Sequence, residues 1–141
     1  MFEKYTEGAR RSLFYARLAV HEHGGDSIEA EHLLLGALKA VPAVGDHLIS
    51  REHDVEWLRS TVESDLRPGE RFPTSKELPF GTSVKTALKR AQEEASATAS
   101  QNIGVEHLLL AIFGDPRCQQ ILSTAGVDVE AASRRIRAVV Q

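Results

Sequence analysis

Glu31-His32-Leu33-Leu34-Leu35 returns 75 residues later as Glu106-His107-Leu108-Leu109-Leu110. In a chain of 141 residues, that spacing reads as one unit written twice. Three consecutive leucines, followed by Ala37 and Leu38 in the first copy and by Ala111 and Ile112 in the second, cover most of the circumference of a helix. A helix that is apolar nearly all round has no solvent face and belongs at the centre of a core. Each leucine, once fully buried, contributes on the order of 2 kcal/mol. The glutamate at the head of each run falls in the first turn, where the positive end of the helix dipole favours a carboxylate.

The flanks repeat as well. Ala9, Leu13, Ala16 and Val20 step by four, three and four, which places them on one helix face. Val84, Leu88, Ala91 and Ala95 restore that face at the same offset. Thr6 is a suitable N-cap for the first helix, with Glu7 in its first turn, and Gly24-Gly25 stops it. Pro42 opens a short third helix ending near Ser50, matched by residues 116–124. Asp54 caps a fourth helix carrying Val55, Leu58, Val62 and Leu66. Asp128-Val129-Glu130 repeats its opening at an offset of 74, with one residue lost in between. Residues 67–79 hold three of the five prolines and read as a linker. The expected fold is all-α, with eight helices in two four-helix pseudo-repeats, residues 1–66 and 80–141, packed as one domain. Two copies make a doubled supersecondary unit; a solenoid needs about three or more.

Several function classes drop out. A net charge of -3 argues against a nucleic-acid binder, which usually carries a basic excess. Cys118 is the only cysteine, so no internal disulfide forms, as suits a reducing compartment. The N-terminus lacks the apolar run of a signal peptide, and no stretch reaches the roughly 18 apolar residues of a membrane span. The expected location is the cytoplasm, away from membranes. Six histidines invite a metal reading, but there is no His-Glu-x-x-His and no cysteine pair, and His21 and His23 point to different faces of a helix. No metal or cofactor is expected. His32 and His107 read as structural groups that bond backbone beside the leucines. Neither Gly-x-Ser-x-Gly nor a phosphate loop occurs, so no catalytic residue is nominated and the chain is not read as an enzyme. Glu31 and Glu106 remain. They are either simple helix-dipole carboxylates or parts of a site for a zwitterionic group, with free helix-start N–H groups taking an anion and the carboxylate a cation.

The doubled unit with Glu-His-Leu-Leu-Leu in each copy resembles the N-terminal domain of the Clp (Hsp100) AAA+ unfoldases of bacteria, most closely the ClpC and ClpA type. Met1-Phe2-Glu3-Lys4-Tyr5-Thr6-Glu7, with Ala9-Arg10 after it, is similar to the ClpC start. Leu78-Pro79-Phe80, followed by Lys85, is similar to the start of its second repeat. The resemblance implies a protein-interaction domain that docks adaptor proteins or protein substrates for a Clp-type AAA+ ATPase. It also implies phosphoarginine recognition at Glu31 and Glu106, and binding of cyclic peptides beside Phe2, Phe80 and Lys85. Two departures bear on this. The ClpC motif reads Gly-Thr-Glu-His, whereas this chain has Glu29-Ala30-Glu31-His32 and Gly104-Val105-Glu106-His107. Both threonine hydroxyls are lost, and the added Glu29 carboxylate should repel a phosphate at the first site, which ranks Glu106 above Glu31. The Gly-Glu-Gly loop after the central helix is also absent. This divergence supports an alternative in which a stand-alone regulator or decoy sequesters a small ligand or cyclic peptide in the groove between repeats.

Overall fold

Side chains at the helix starts decide where the chain begins to coil. The structure, a computed structural model, describes residues 2–50 and 52–140; Met1, part of the start motif, lies outside the described residues. Helix α1 spans Glu7–His23, with the Thr6 hydroxyl accepting from Ala9 N–H at 3.2 Å. Helix α2 spans Ala30–Ala40, and a 3-10 helix follows at Pro42–His47. Helix α3, Val55–Ser64, starts on Asp54, whose carboxylate accepts from Trp57 N–H at 2.8 Å. The second copy supplies α4 (Thr82–Ala97), α5 (Val105–Ile112), α6 (Pro116–Thr124) and α7 (Val129–Val140). Asp115 caps α6 and Asp128 caps α7 in the same way. Among the described residues the fold is all-helical. Two isolated parallel β-bridges, Tyr5 with Ile103 and Ile28 with Phe80, join the copies. None of these helices is long and apolar enough to cross a membrane.

The expected third helix differs in kind between the copies. In the first it is a 3-10 helix that ends at His47, short of Ser50. Its Pro-Ala-Val-Gly-Asp-His sequence has poor helix formers, and Gly45 sits against the Val55 side chain. The counterpart α6 has an aspartate cap and a full α-helix.

Leu33, Leu34, Leu35, Ala37 and Leu38 of α2 are fully buried, as are Leu108, Leu109 and Ile112 of α5. The two central helices pack against each other, and the remaining helices wrap them. Helix α1 approaches α2 closely because Gly36 has no side chain. A Cβ there would stand 2.1 Å from the Ser12 carbonyl oxygen. The second copy has Ala111 at this position, and α4 packs less closely on α5.

The two copies exchange their leading segments. Thr6 N–H donates to Ile103 C=O at 2.9 Å, and Ile103 N–H donates to Lys4 C=O at 2.7 Å. At the mirror position Gly81 N–H donates to Ile28 C=O and Ile28 N–H to Pro79 C=O, both at 2.9 Å. Each bridge ties the start of one copy to the approach of the other copy's central helix. Guanidinium groups add two more ties: Arg117 donates to Asp65 C=O at 2.6 Å, and Arg135 to His47 C=O. Both carbonyls lie at helix C-terminal ends, where a cation is favoured.

The stretch expected as a linker is strapped along α1. Gly25 N–H donates to Glu70 C=O at 2.8 Å, His21 Nδ1 meets Phe72 C=O at 2.9 Å, and Arg17 donates to Thr74 C=O at 2.7 Å. Lys76 closes the strap, its ammonium 3.6 Å from the centre of the Phe72 ring.

Gly36→Ala should destabilise the protein by about 3 kcal/mol, at the upper end of ordinary overpacking, because its neighbour is backbone that cannot turn aside. The reverse change at the equivalent site, Ala111→Gly, should cost only about 1 kcal/mol of helix propensity. Urea unfolding of both variants compares the two; equal losses would mean that α1 and α2 can separate at little cost.

Candidate functional site

The starts of α2 and α5 are built alike. His32 sits at the third position of α2, and its Nδ1 accepts from the Glu29 backbone N–H at 2.9 Å. His107 does the same for Gly104 N–H at 3.0 Å. Each histidine thus fills the role that Glu or Gln plays in a capping box. Accepting through Nδ1 fixes the neutral tautomer with the proton on Nε2. In His107 that nitrogen faces the Thr98 hydroxyl at 3.4 Å. Burial pushes His32 down to about 4, against the opposing pull of Glu29, and pushes His107 down as well. Both histidines are structural, bonding backbone beside the leucines.

Glu29 has a function that sequence reasoning missed. Gly81, the N-cap of α4, has no side chain with which to satisfy the helix start. The Glu29 carboxylate reaches across from the first copy, accepting from the Ser83 hydroxyl at 2.7 Å and from Ser83 N–H at 3.3 Å. Its other oxygen accepts from Ser27 at 2.6 Å. Burial works against this charge, but the serine hydroxyls and the N–H outweigh it and hold the carboxyl below its ordinary range. The cap operates in trans, and it requires glycine at 81, since a Cβ there would overlap the carboxylate. The mirror-related junction solves the same problem the other way round: Thr6 caps its own helix α1, and the residue opposite, in the second copy, is Gly104. Sequence alone gave Glu29 a repulsive part only. Its charge is retained and raises the neighbouring Glu31.

Glu31 and Glu106 occupy unlike surroundings. Glu31 is 9% exposed, and burial, reinforced by Asp115 and Glu29, pushes its carboxyl above the usual range; Arg117 partly offsets this. Across the copy boundary it faces the start of α6. Cys118 also lies there, fully buried, its thiol pushed up by burial and by the hydrogen bond to Asp115, and hence inert. Arg117 enters the neighbourhood from 86 residues away, and no sequence signal pairs it with Glu31. Glu106 is more open, with its carboxylate turned back over the side-chain-free surface of Gly104.

The aromatic set is brought together in part. The Phe2 ring meets Tyr5 edge-on at 4.9 Å and Phe80 at 6.1 Å between centroids. Beside Phe2 lies an open cavity of about 440 Å³, walled by Glu3, Lys4, Tyr5, Ile103 and, from α4, Leu88, Lys89 and Gln92. Its α4 lysine is Lys89; Lys85 is exposed one turn earlier and is not among the walls.

The family model for the Clp repeat N-terminal domain matches residues 4–117 and again 79–141. The chain is 33% identical over 142 residues to chaperone protein ClpB 1 of Parasynechococcus marenigrum, a match covering 97% of the chain and 16% of that relative. It is 31% identical to an uncharacterized protein of Mycobacterium tuberculosis, covering 93% of the chain and 51% of that relative. Among solved structures, the N-terminal domain of the ClpD chaperone of Arabidopsis thaliana superposes with a TM-score of 0.79 at 22% identity, covering 99% of this chain and 96% of that one. The Hsp104 N-terminal domain of Candida albicans gives 0.80 at 14% identity, covering 95% and 89%. These two likenesses establish the fold.

The capping histidine makes stability depend on pH. Between about 4 and 6.5 the unfolded chain holds more protons on residue 32 than the folded chain does, so stability rises with pH. The contribution, on the order of 3 kcal/mol, is complete above pH 6.5 and is lost as pH falls towards 4. His32→Gln keeps an acceptor for the Glu29 N–H and should flatten this slope in urea titrations across that range. The trans cap gives a second test. Glu29→Gly alone should cost about 1 kcal/mol, and Gly81→Thr alone should cost more through its clash. The double variant copies the Gly104–Thr6 arrangement and should recover most of both losses. Additive losses in the double-mutant cycle would refute the reciprocal arrangement.

Proposed function

We propose that this chain, which belongs to the Clp repeat N-terminal domain family, docks adaptor proteins or protein substrates for a Clp-type AAA+ ATPase. The chain spans 16% of the ClpB 1 relative and 51% of the mycobacterial one, so it corresponds to one module of longer relatives. The observation that carries the reading is the open cavity beside Phe2. It lies where the swapped N-terminal segment meets α4, it combines apolar walls with Lys4 and Lys89, and its volume falls in the ordinary range for ligand sites. Its floor, Tyr5 and Ile103, is fixed by the backbone bridge, so the surface is preformed. Pre-organisation of this kind removes an ordering cost from binding. The same aromatic edge, Phe2 with Phe80, supports an apolar peptide, linear or cyclic, as the occupant; the position of Lys85 gives it a peripheral part at most.

Phosphoarginine is the finer proposal. Glu106 is the better of the two motif positions because its carboxylate is more open and stands beside a helix start with no competing acid at residue 104. Glu31 is buried, is pushed toward its neutral form, and has Glu29 and Asp115 close by. The mycobacterial relative favours a second reading, a stand-alone regulator or decoy. It is only about twice as long as this chain, far shorter than the ClpB 1 relative.

The test of docking is binding of a partner ATPase or adaptor from the same cell to the immobilised chain. Lys89→Glu, which reverses an exposed charge in the cavity wall, should weaken capture strongly without changing the unfolding midpoint. Capture unaffected by this substitution would move docking elsewhere. For the finer proposal, phosphoarginine should shift amide resonances around Glu106 and leave those around Glu31 largely unmoved. Glu106→Ala should remove the effect while the domain stays folded; no shift at millimolar ligand would discard phosphoarginine.

A further inference from the structure

The C-terminal ends of three helices of the first copy meet at one place. Glu22 and His23 are the last two residues of α1, Lys39 is next to last in α2, and Glu63 is next to last in α3. One ligating atom from each of Glu22, His23 and Glu63 lies within 4.8 Å of the other two. The Lys39 ammonium stands among them, 3.3 Å from Glu63 Oε2 and 3.9 Å from Glu22 Oε2.

Two features mark this as more than an ion-pair cluster. First, His23 Nε2 is shut off from solvent yet has no hydrogen-bond partner. It lies 3.6 Å from Glu63 Oε2, too far for a hydrogen bond. That separation is close to the roughly 3.3 Å between two donors bound tetrahedrally to one ion at about 2.0–2.1 Å. Second, the duplication supplies an internal control. The equivalent positions in the second copy are Ala97, Thr98, Gly114 and Arg137, and Ala97, Gly114 and Arg137 line one cavity there. Arg137 is held by Glu94 at 2.8 and 3.0 Å. The same helix junction therefore forms without a histidine and without the two carboxylates. The fold does not need them in the first copy.

We infer that Glu22, His23 and Glu63 form a site for a zinc-class divalent cation, and that the Lys39 ammonium fills it when no metal is bound. One imidazole with two carboxylates suits zinc and related transition ions over magnesium or calcium, which prefer oxygen alone. Two carboxylates against one ammonium leave a net negative charge, and three converging helix C-termini add to it. On binding, the ion takes the Glu22, His23 and Glu63 donors, Lys39 swings out to solvent, and water completes the coordination.

The test is a zinc titration of the intact chain at neutral pH, followed by calorimetry and by imidazole nitrogen resonances. One equivalent should saturate the site, His23 Nε2 should be the nitrogen that moves, and the unfolding midpoint should rise and fall back on chelation. His23→Gln and Glu63→Gln should each weaken binding by about tenfold or more. Lys39→Met should tighten it, because the competing cation is gone. His53→Gln, a control away from the junction, should change nothing. Circular dichroism of each variant verifies folding. The inference is overturned if no saturable binding appears at millimolar zinc, if binding survives His23→Gln, or if Lys39→Met weakens it.

Discussion

A helix that is apolar on every side is stable only when every side is covered. Helices α2 and α5 are of this kind, and each is covered partly by its own copy and partly by the other. Each central helix therefore becomes a wall for the other, and the outer helices close the remaining sides. The mutual demand explains why the copies trade their leading segments. The Tyr5–Ile103 and Ile28–Phe80 bridges place the start of each copy over the approach to the other's central helix. Backbone polar groups there are satisfied across the boundary, where leaving them buried and unpaired would be costly.

The same exchange sets the chemistry of the motif ends. Because α4 begins beside the start of α2, a carboxylate at residue 29 can cap it, and the glycine at 81 gives that carboxylate room. Because α6 begins near Glu31, that residue sits among Asp115, Cys118 and Arg117, and burial together with the nearby acids pushes its carboxyl above the usual range. Glu106 escapes this crowding. The two copies keep one fold and differ in the charge and burial of matched positions. Matched positions thus become unequal candidates for ligand binding, and the helix junction of the first copy carries acids where the second carries an arginine.

Much of the fold was legible in the chain. The repeat, the four-helix unit and the Thr6, Asp54 and Asp128 caps follow from periodicity and from local side-chain-to-backbone bonds, which act over three or four residues. The expected third α-helix was realised as a 3-10 turn because its sequence is weak and its glycine is pressed by Val55. The structural reading of His32 and His107 was also within reach, since an acceptor three residues past a helix start has a donor waiting for it.

The sequence by itself determined which segments coil, which faces are apolar and where the unit repeats, because those depend on neighbours a few residues apart. Only the tertiary structure decided what surrounds each motif glutamate, that Glu29 is a cap in trans, that the proline-rich stretch is a strap along α1, and that Lys39 stands between Glu22 and Glu63. Those facts join residues as distant as 29 and 83 or 31 and 117. They depend on how two copies of one unit share a core, and no local pattern encodes that arrangement.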